Sequence, residues 1–114
     1  MRFAYFCTDR GDQMAARNAH LMAHLRYMEE IADKVMIAGP VPGPAGGPRF
    51  AGSLIIYNVG SREEAEALFN GDPYARANMW ERVEVVPFSE AMGTAIGGLT
   101  WEIVNGELRM KQPA

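Results

Sequence analysis

Two stretches of this chain are apolar at consecutive positions instead of at every second one. Residues 2 to 8 read Arg-Phe-Ala-Tyr-Phe-Cys-Thr, and residues 51 to 59 carry Leu54-Ile55-Ile56-Tyr57 at their centre. Aromatic and β-branched residues favour strands, and successive strand side chains point to opposite faces. Both strands are therefore apolar on both faces of whatever sheet they join, and such a sheet needs cover on each side. Two more strand segments follow from composition: Lys34 to Ala38, and Arg82 to Phe88, the latter either ended or pushed to an edge by Pro87.

Between the first two strands, Met14 to about Ala32 has a helical period. At about 100° per residue, Met14, Leu21, Leu25, Met28 and Ile31 share one arc centred on Arg17, while Arg26, Glu29 and Glu30 lie opposite. This arc is expected to be the buried face, and Asp12 stands where an N-cap belongs. Ser61-Arg62-Glu63-Glu64 is a capping box: the Ser61 hydroxyl accepts from the Glu64 amide, and the Glu64 carboxylate reaches back to the Ser61 amide. The helix it starts turns Ala65, Leu68 and Phe69 inward and stops at Gly71, read as a left-handed terminator. Asp72 then caps a short turn with Pro73 in its first position.

From Gly39 to Phe50, eight of twelve residues are Gly or Pro. Proline lacks the amide donor and glycine carries an entropy cost, so the segment reads as a loop or flap that ends both neighbouring strands. It lacks the Gly-Lys-Ser/Thr of a phosphate-cradling loop. In the tail, Trp101, Ile103 and Val104 precede an Asn105-Gly106 turn signal and Leu108, which predicts a hairpin.

The order strand, helix, strand, strand, helix, strand predicts an α+β chain of ferredoxin-like βαββαβ type, with two helices on one face of an antiparallel sheet. The other face stays bare. At about 25 cal/mol per Å², several large side chains left in water forfeit several kcal/mol, so a homodimer with sheet packed on sheet is expected. At 114 residues and 12.6 kDa, one domain spans 1–114, with a core over about 1–90 and a C-terminal extension over about 91–114.

A net charge of −3 without a Lys/Arg cluster argues against a nucleic-acid partner. Cys7 is the single cysteine, so there is no intrachain disulfide and no thiolate set for zinc, which points to the cytoplasm. The apolar run Phe3 to Cys7 is too short for a signal peptide or a membrane span, so no membrane association is expected.

Chemistry rests on few residues. The two histidines, His20 and His24, are one helical turn apart, with His24 inside the apolar arc and His20 at its edge. A histidine so placed is either a core residue satisfied by an acceptor or an acid–base group. A His-x-x-x-His metal site lacks the Glu after His20 and an evident third ligand, so no metal and no cofactor are expected. Asp72 is either a plain N-cap or the carboxylate that orients a histidine. Arg17 either binds an anionic substrate or snorkels at the helix end. Tyr27, Trp80 and Trp101 either line a pocket or anchor packing. Cys7 sits in an apolar strand with no activating neighbour.

These landmarks together resemble the YciI-like (YCII-related) family. They are His24-Leu25-Arg26-Tyr27, Ala38-Gly39-Pro40, Gly52-Ser53-Leu54, Ser61 to Ala65, Asp72-Pro73-Tyr74, Val83-Glu84-Val85 and Pro87-Phe88. Gly97-Gly98 and Trp101 resemble the end of its longer members. The resemblance implies a dimeric α+β barrel and an active site of one histidine and one aspartate, here His24 and Asp72. Family members often carry an arginine three residues before that histidine. This chain has Leu21 there, while Arg17 and His20 keep the spacing, so His20 stays a rival.

The resemblance also implies lyase-type dehydrochlorination of hydroxylated aromatics. The expected function is a cofactor-independent His/Asp acid–base enzyme, lyase or isomerase in type, acting on a small cyclic, phenolic or enolic metabolite. His24 and Asp72 are its catalytic candidates, and Arg17, His20, Tyr27 and Tyr74 its substrate-binding ones. The alternative is a non-catalytic small-molecule-binding or interaction module using the same pocket.

Overall fold

A computed structural model describes residues 1–111 of the chain. Strand β1 (Arg2–Asp9) leads into helix α1 (Met14–Glu30) and a single 3-10 turn. Strands β2 (Val35–Pro42) and β3 (Phe50–Asn58) follow, then helices α2 (Arg62–Gly71) and α3 (Pro73–Arg76), and strand β4 (Trp80–Phe88). The four strands form one antiparallel sheet in the order β2-β3-β1-β4. The two strands with consecutive apolar residues are the central pair, as their two-faced character requires.

The helices lie on one face. Phe3, Tyr5 and Cys7 of β1 and Ile55 and Tyr57 of β3 pack there against Ile31, Ala65, Phe69, Tyr74, Met79 and Trp80. Tyr5 meets Tyr57 edge-on and stacks on Phe69, which in turn stacks on Trp80, so aromatic contacts tie the sheet to α2. On the opposite face, Phe6, Ile37, Val86 and Phe88 stay 42–49% exposed. No helix of the described residues is long and apolar enough to cross a membrane.

The Gly/Pro-rich segment departs from expectation. Strand β2 runs on through Gly39-Pro40-Val41-Pro42, and only residues 43–49 form the connection, closed by the Gly43 amide donating to the Arg49 carbonyl at 2.8 Å. The reason is position: β2 is an outer strand, where a proline's missing donor faces away from the ladder. Pro87 sits in β4, the other outer strand.

At α2, the Ser61 hydroxyl accepts from the Glu64 amide at 3.1 Å as expected, but Glu64 accepts from the amide of Gly60, one residue earlier, at 3.1 Å. That bond, reinforced by Lys34 at 3.3 Å, holds the Glu64 carboxyl below its ordinary range. Gly71 is not a left-handed terminator. A Cβ there would stand 2.5 Å from the Tyr27 hydroxyl, so glycine is needed for close approach between α2 and α1.

Beyond β4 the tail forms two small hairpins. One pairs β5 (Met92–Gly93) with β6 (Gly98–Leu99), and the other pairs β7 (Trp101–Val104) with β8 (Glu107–Met110) through Asn105 and Gly106, both at positive φ as a type I′ turn demands. The expected extension reaches residue 114, and its last three residues lie outside the described ones.

Candidate functional site

A cavity of about 530 Å³ opens between α1 and the helix-covered face of the sheet. Helix α1 supplies Arg17, Leu21, His24 and Leu25 to its walls, β2 and β3 supply Ala38 to Pro40, Ser53 and Ile55, and Tyr74 and Trp80 close the far side. Most of the apolar arc of α1 therefore faces a cavity, and only its end, Met28 and Ile31, packs on the core. Arg17 is the helix's one buried residue, and Leu21 and Leu25 remain exposed.

His24 is fixed by the turn after α2. Its Nδ1 lies 2.7 Å from Oδ1 of Asp72, whose side chain is wholly enclosed. The same oxygen accepts from the Tyr74 amide at 2.9 Å, so Asp72 is both the cap of α3 and the partner of His24. Oδ2 is enclosed without a partner among the described residues. With the carboxylate as acceptor, Nδ1 carries the imidazole proton and Nε2 presents its lone pair. The Tyr74 ring lies flat against the imidazole, centroids 3.9 Å apart and planes 8° from parallel. Its hydroxyl donates to the Arg17 carbonyl at 3.2 Å, and burial pushes its pKa up.

Arg17 does not snorkel. Its guanidinium donates to both oxygens of Asp9, at 2.9 and 2.8 Å, and to the Gly52 carbonyl at 2.9 Å, with Ser53 Oγ at 3.3 Å. Phe50 and Tyr74 present their rings to the cation at 5.1 and 5.7 Å. A charge this deep is tolerable only with such a partner, and Asp9 was not among the residues singled out from sequence. The signal was there: alternation from Phe3, Tyr5 and Cys7 puts Asp9 on the buried face, where a carboxylate requires a cation.

The structure thus brings His24, Asp72, Tyr74 and Arg17 together. His20 and Tyr27, expected to face the ligand, are not on the cavity wall. His20 lies a full helical turn before His24, towards the edge of the arc. The Tyr27 hydroxyl instead donates to the Leu68 carbonyl at 2.7 Å, holding α1 to α2. Trp101 belongs to the tail hairpin, whereas Trp80 does line the cavity. Burial raises the Cys7 thiol to about 12. Among the described residues no three His, Cys, Asp or Glu side chains converge as metal ligands would.

Fold and site together define a small α+β protein with a histidine–aspartate pair at the wall of an internal cavity. The YCII-related domain matches residues 1–89, and the chain belongs to that family. It is 31% identical over 96 residues to Protein YciI of Escherichia coli O6:H1 and of Shigella flexneri, covering 79% of this chain and 98% of each relative. Among solved structures it is similar to 5-chloro-2-hydroxyhydroquinone dehydrochlorinase (TftG) from Burkholderia phenoliruptrix AC1100, solved in complex with 2,5-dihydroxybenzoquinone. The TM-score is 0.72 at 26% identity, over 82% of this chain and 97% of that one.

Proposed function

We propose that the chain is a cofactor-independent acid–base enzyme of lyase or isomerase type, acting in the cytoplasm on a small cyclic, phenolic or enolic metabolite. Its working form is a homodimer of ferredoxin-like subunits, sheet against sheet in a dimeric α+β barrel. The observation that carries the catalytic reading is the 2.7 Å contact between His24 and enclosed Asp72 at a cavity of about 530 Å³. That volume suits a single-ring ligand. The exposed row Phe6, Ile37, Val86 and Phe88 on the helix-free face supports the dimer.

In this reading Asp72 holds Nδ1–H, and Nε2 of His24 takes a proton from a phenolic hydroxyl or an enolisable carbon. The electron pair left behind moves into the ring. In an elimination the imidazolium returns the proton to the chlorine-bearing ring carbon, and as a second ring hydroxyl gives its proton to the imidazole, chloride departs from that carbon with its bonding pair and leaves a quinone. In an isomerisation the imidazolium returns the proton to another ring atom. Leucine, isoleucine and aromatic walls limit water at the reacting atoms, and Arg17, neutralised by Asp9, stiffens the cavity end beside Tyr74. The similarity to a dehydrochlorinase of a hydroxylated hydroquinone supports the substrate class.

The test offers 5-chloro-2-hydroxyhydroquinone and a panel of unchlorinated enolisable phenols to the wild type and to His24→Gln, following chloride and the ultraviolet spectrum. Turnover by the wild type, with a loss of roughly 10²–10⁴-fold in a folded His24→Gln variant, is the expected result. Thermal-shift binding without product at any pH from about 5 to about 9 would instead identify a binding module. Undiminished turnover in His24→Gln overturns the role of His24.

A further inference from the structure

The tail after β4 does not pack onto its own subunit as a finished element should. The radius of gyration is 16.7 Å and the longest axis 56 Å, whereas a compact chain of this length has a radius near 13 Å. The β7–β8 hairpin is two-faced. Trp101 pairs with Met110 and Ile103 with Leu108 on one side, while Glu102 pairs with Arg109 and Val104 with Glu107 on the other. Ile103, Leu108 and Met110 are 67–70% exposed. An isolated two-stranded hairpin is marginal in water, and one showing an unbroken apolar face needs a surface to lie on. This arm also lies beyond residue 89, where the family match ends.

The cavity has a complementary need. Its mouth lies between α1 and the outer strand β2, and both lips are apolar and exposed: Leu21 and Leu25 on one side, Ala38 to Pro40 on the other. We propose that the arm of a second copy lies across these lips and closes the cavity, so that each site is completed by its partner's hairpin. The proposal rests on the sheet-to-sheet dimer above. If the two-fold axis of that pair runs along the strands, the β4 edge of one copy stands over the β2 edge of the other. The arm, which leaves β4 after Phe88, then emerges beside its partner's β2, at one lip of the partner's cavity. Its apolar row fits leucines and proline, and its charged row is left to solvent.

The experiment mixes two single variants carrying different tags, Leu25→Cys and Ile103→Cys, lets subunits exchange and oxidises the mixture. The native Cys7 is buried and does not compete. The expected product is a covalent dimer containing one chain of each kind, repeated when Leu21→Cys replaces Leu25→Cys. Light scattering on the untreated protein separates the two readings. A dimer that yields no mixed cross-link overturns the arm alone, whereas a monomer overturns both the arm and the sheet-to-sheet dimer.

Discussion

His24 Nδ1 and Asp72 Oδ1 meet at 2.7 Å across 48 residues of sequence, and the oxygen that holds the imidazole also caps α3 through the Tyr74 amide at 2.9 Å. One carboxylate thus does a structural and a positional task at once, and a conservative substitution separates them. Asparagine caps a helix about as well as aspartate, but it is neutral and presents either an amide or a carbonyl to Nδ1. Asp72→Asn is expected to melt within a few degrees of the wild type while turnover falls roughly 10²-fold or more. Asp72→Ala loses the cap as well, at about 1 kcal/mol, plus the cost of an unpaired imidazole. Thermal melts read beside initial rates check both.

Asp9 and Arg17 are the deepest ion pair among the described residues, with side chains 1% and 6% exposed. Removing one partner strands a buried charge. Asp9→Ala is expected to lower stability by about 3–5 kcal/mol, measured by urea denaturation, whereas a double replacement of both residues by apolar ones recovers much of the loss. Arg17→Lys is not conservative here, because an ammonium cannot form the two-pronged contact with Asp9.

Gly71→Ala places a methyl group 2.5 Å from the Tyr27 hydroxyl, which is itself tied to the Leu68 carbonyl. Overpacking of this sort costs about 1–3 kcal/mol. In a double-mutant cycle Tyr27→Phe should recover part of that cost, since it removes the nearest atom. Additive effects would show that the two residues do not meet.

Burial holds the Cys7 thiol protonated up to about 12, against an ordinary value of 9.0. It should resist thiol reagents at pH 8 in the native protein and react at once in denaturant. The sign of the linkage follows. Between these two values the unfolded chain releases a proton that the folded chain keeps, so stability is intact below about 9 and declines as the pH rises toward about 12. Cys7→Ala should lessen that decline, most visibly between about pH 9 and about pH 10, below the range where the raised Tyr5, Tyr57 and Tyr74 hydroxyls add to it, as denaturation midpoints at a series of pH values will show.

Much of the fold was legible locally. The capping serine of α2, the Asp72-Pro73 start of α3, the Asn105-Gly106 turn and the central strands all announce themselves within a few residues, because caps and turns are short-range hydrogen-bond geometry. The proline-rich end of β2 was misread because a proline is compatible with either the end of a strand or an outer strand, and only the sheet order tells which. In the site, His24 stood out by its place in the apolar arc and Asp72 by its turn. Asp9 was overlooked because its partner is contributed by another element. His20 and Tyr27 shared the helix with His24, yet a full turn and a different bearing carried them away from the cavity.

Sequence by itself determined the order of the four main strands and two main helices, where α2 and α3 begin, and that the central strands are apolar on both faces, for these depend on periodicity and neighbouring side chains. Only the tertiary structure decided that β2 is an outer strand running on through its prolines, that Arg17 is neutralised by Asp9, and that the Asp72 carboxylate stands within hydrogen-bond reach of His24. Those are distances between residues remote in the chain, set by how helices seat on a sheet, and no local pattern encodes them.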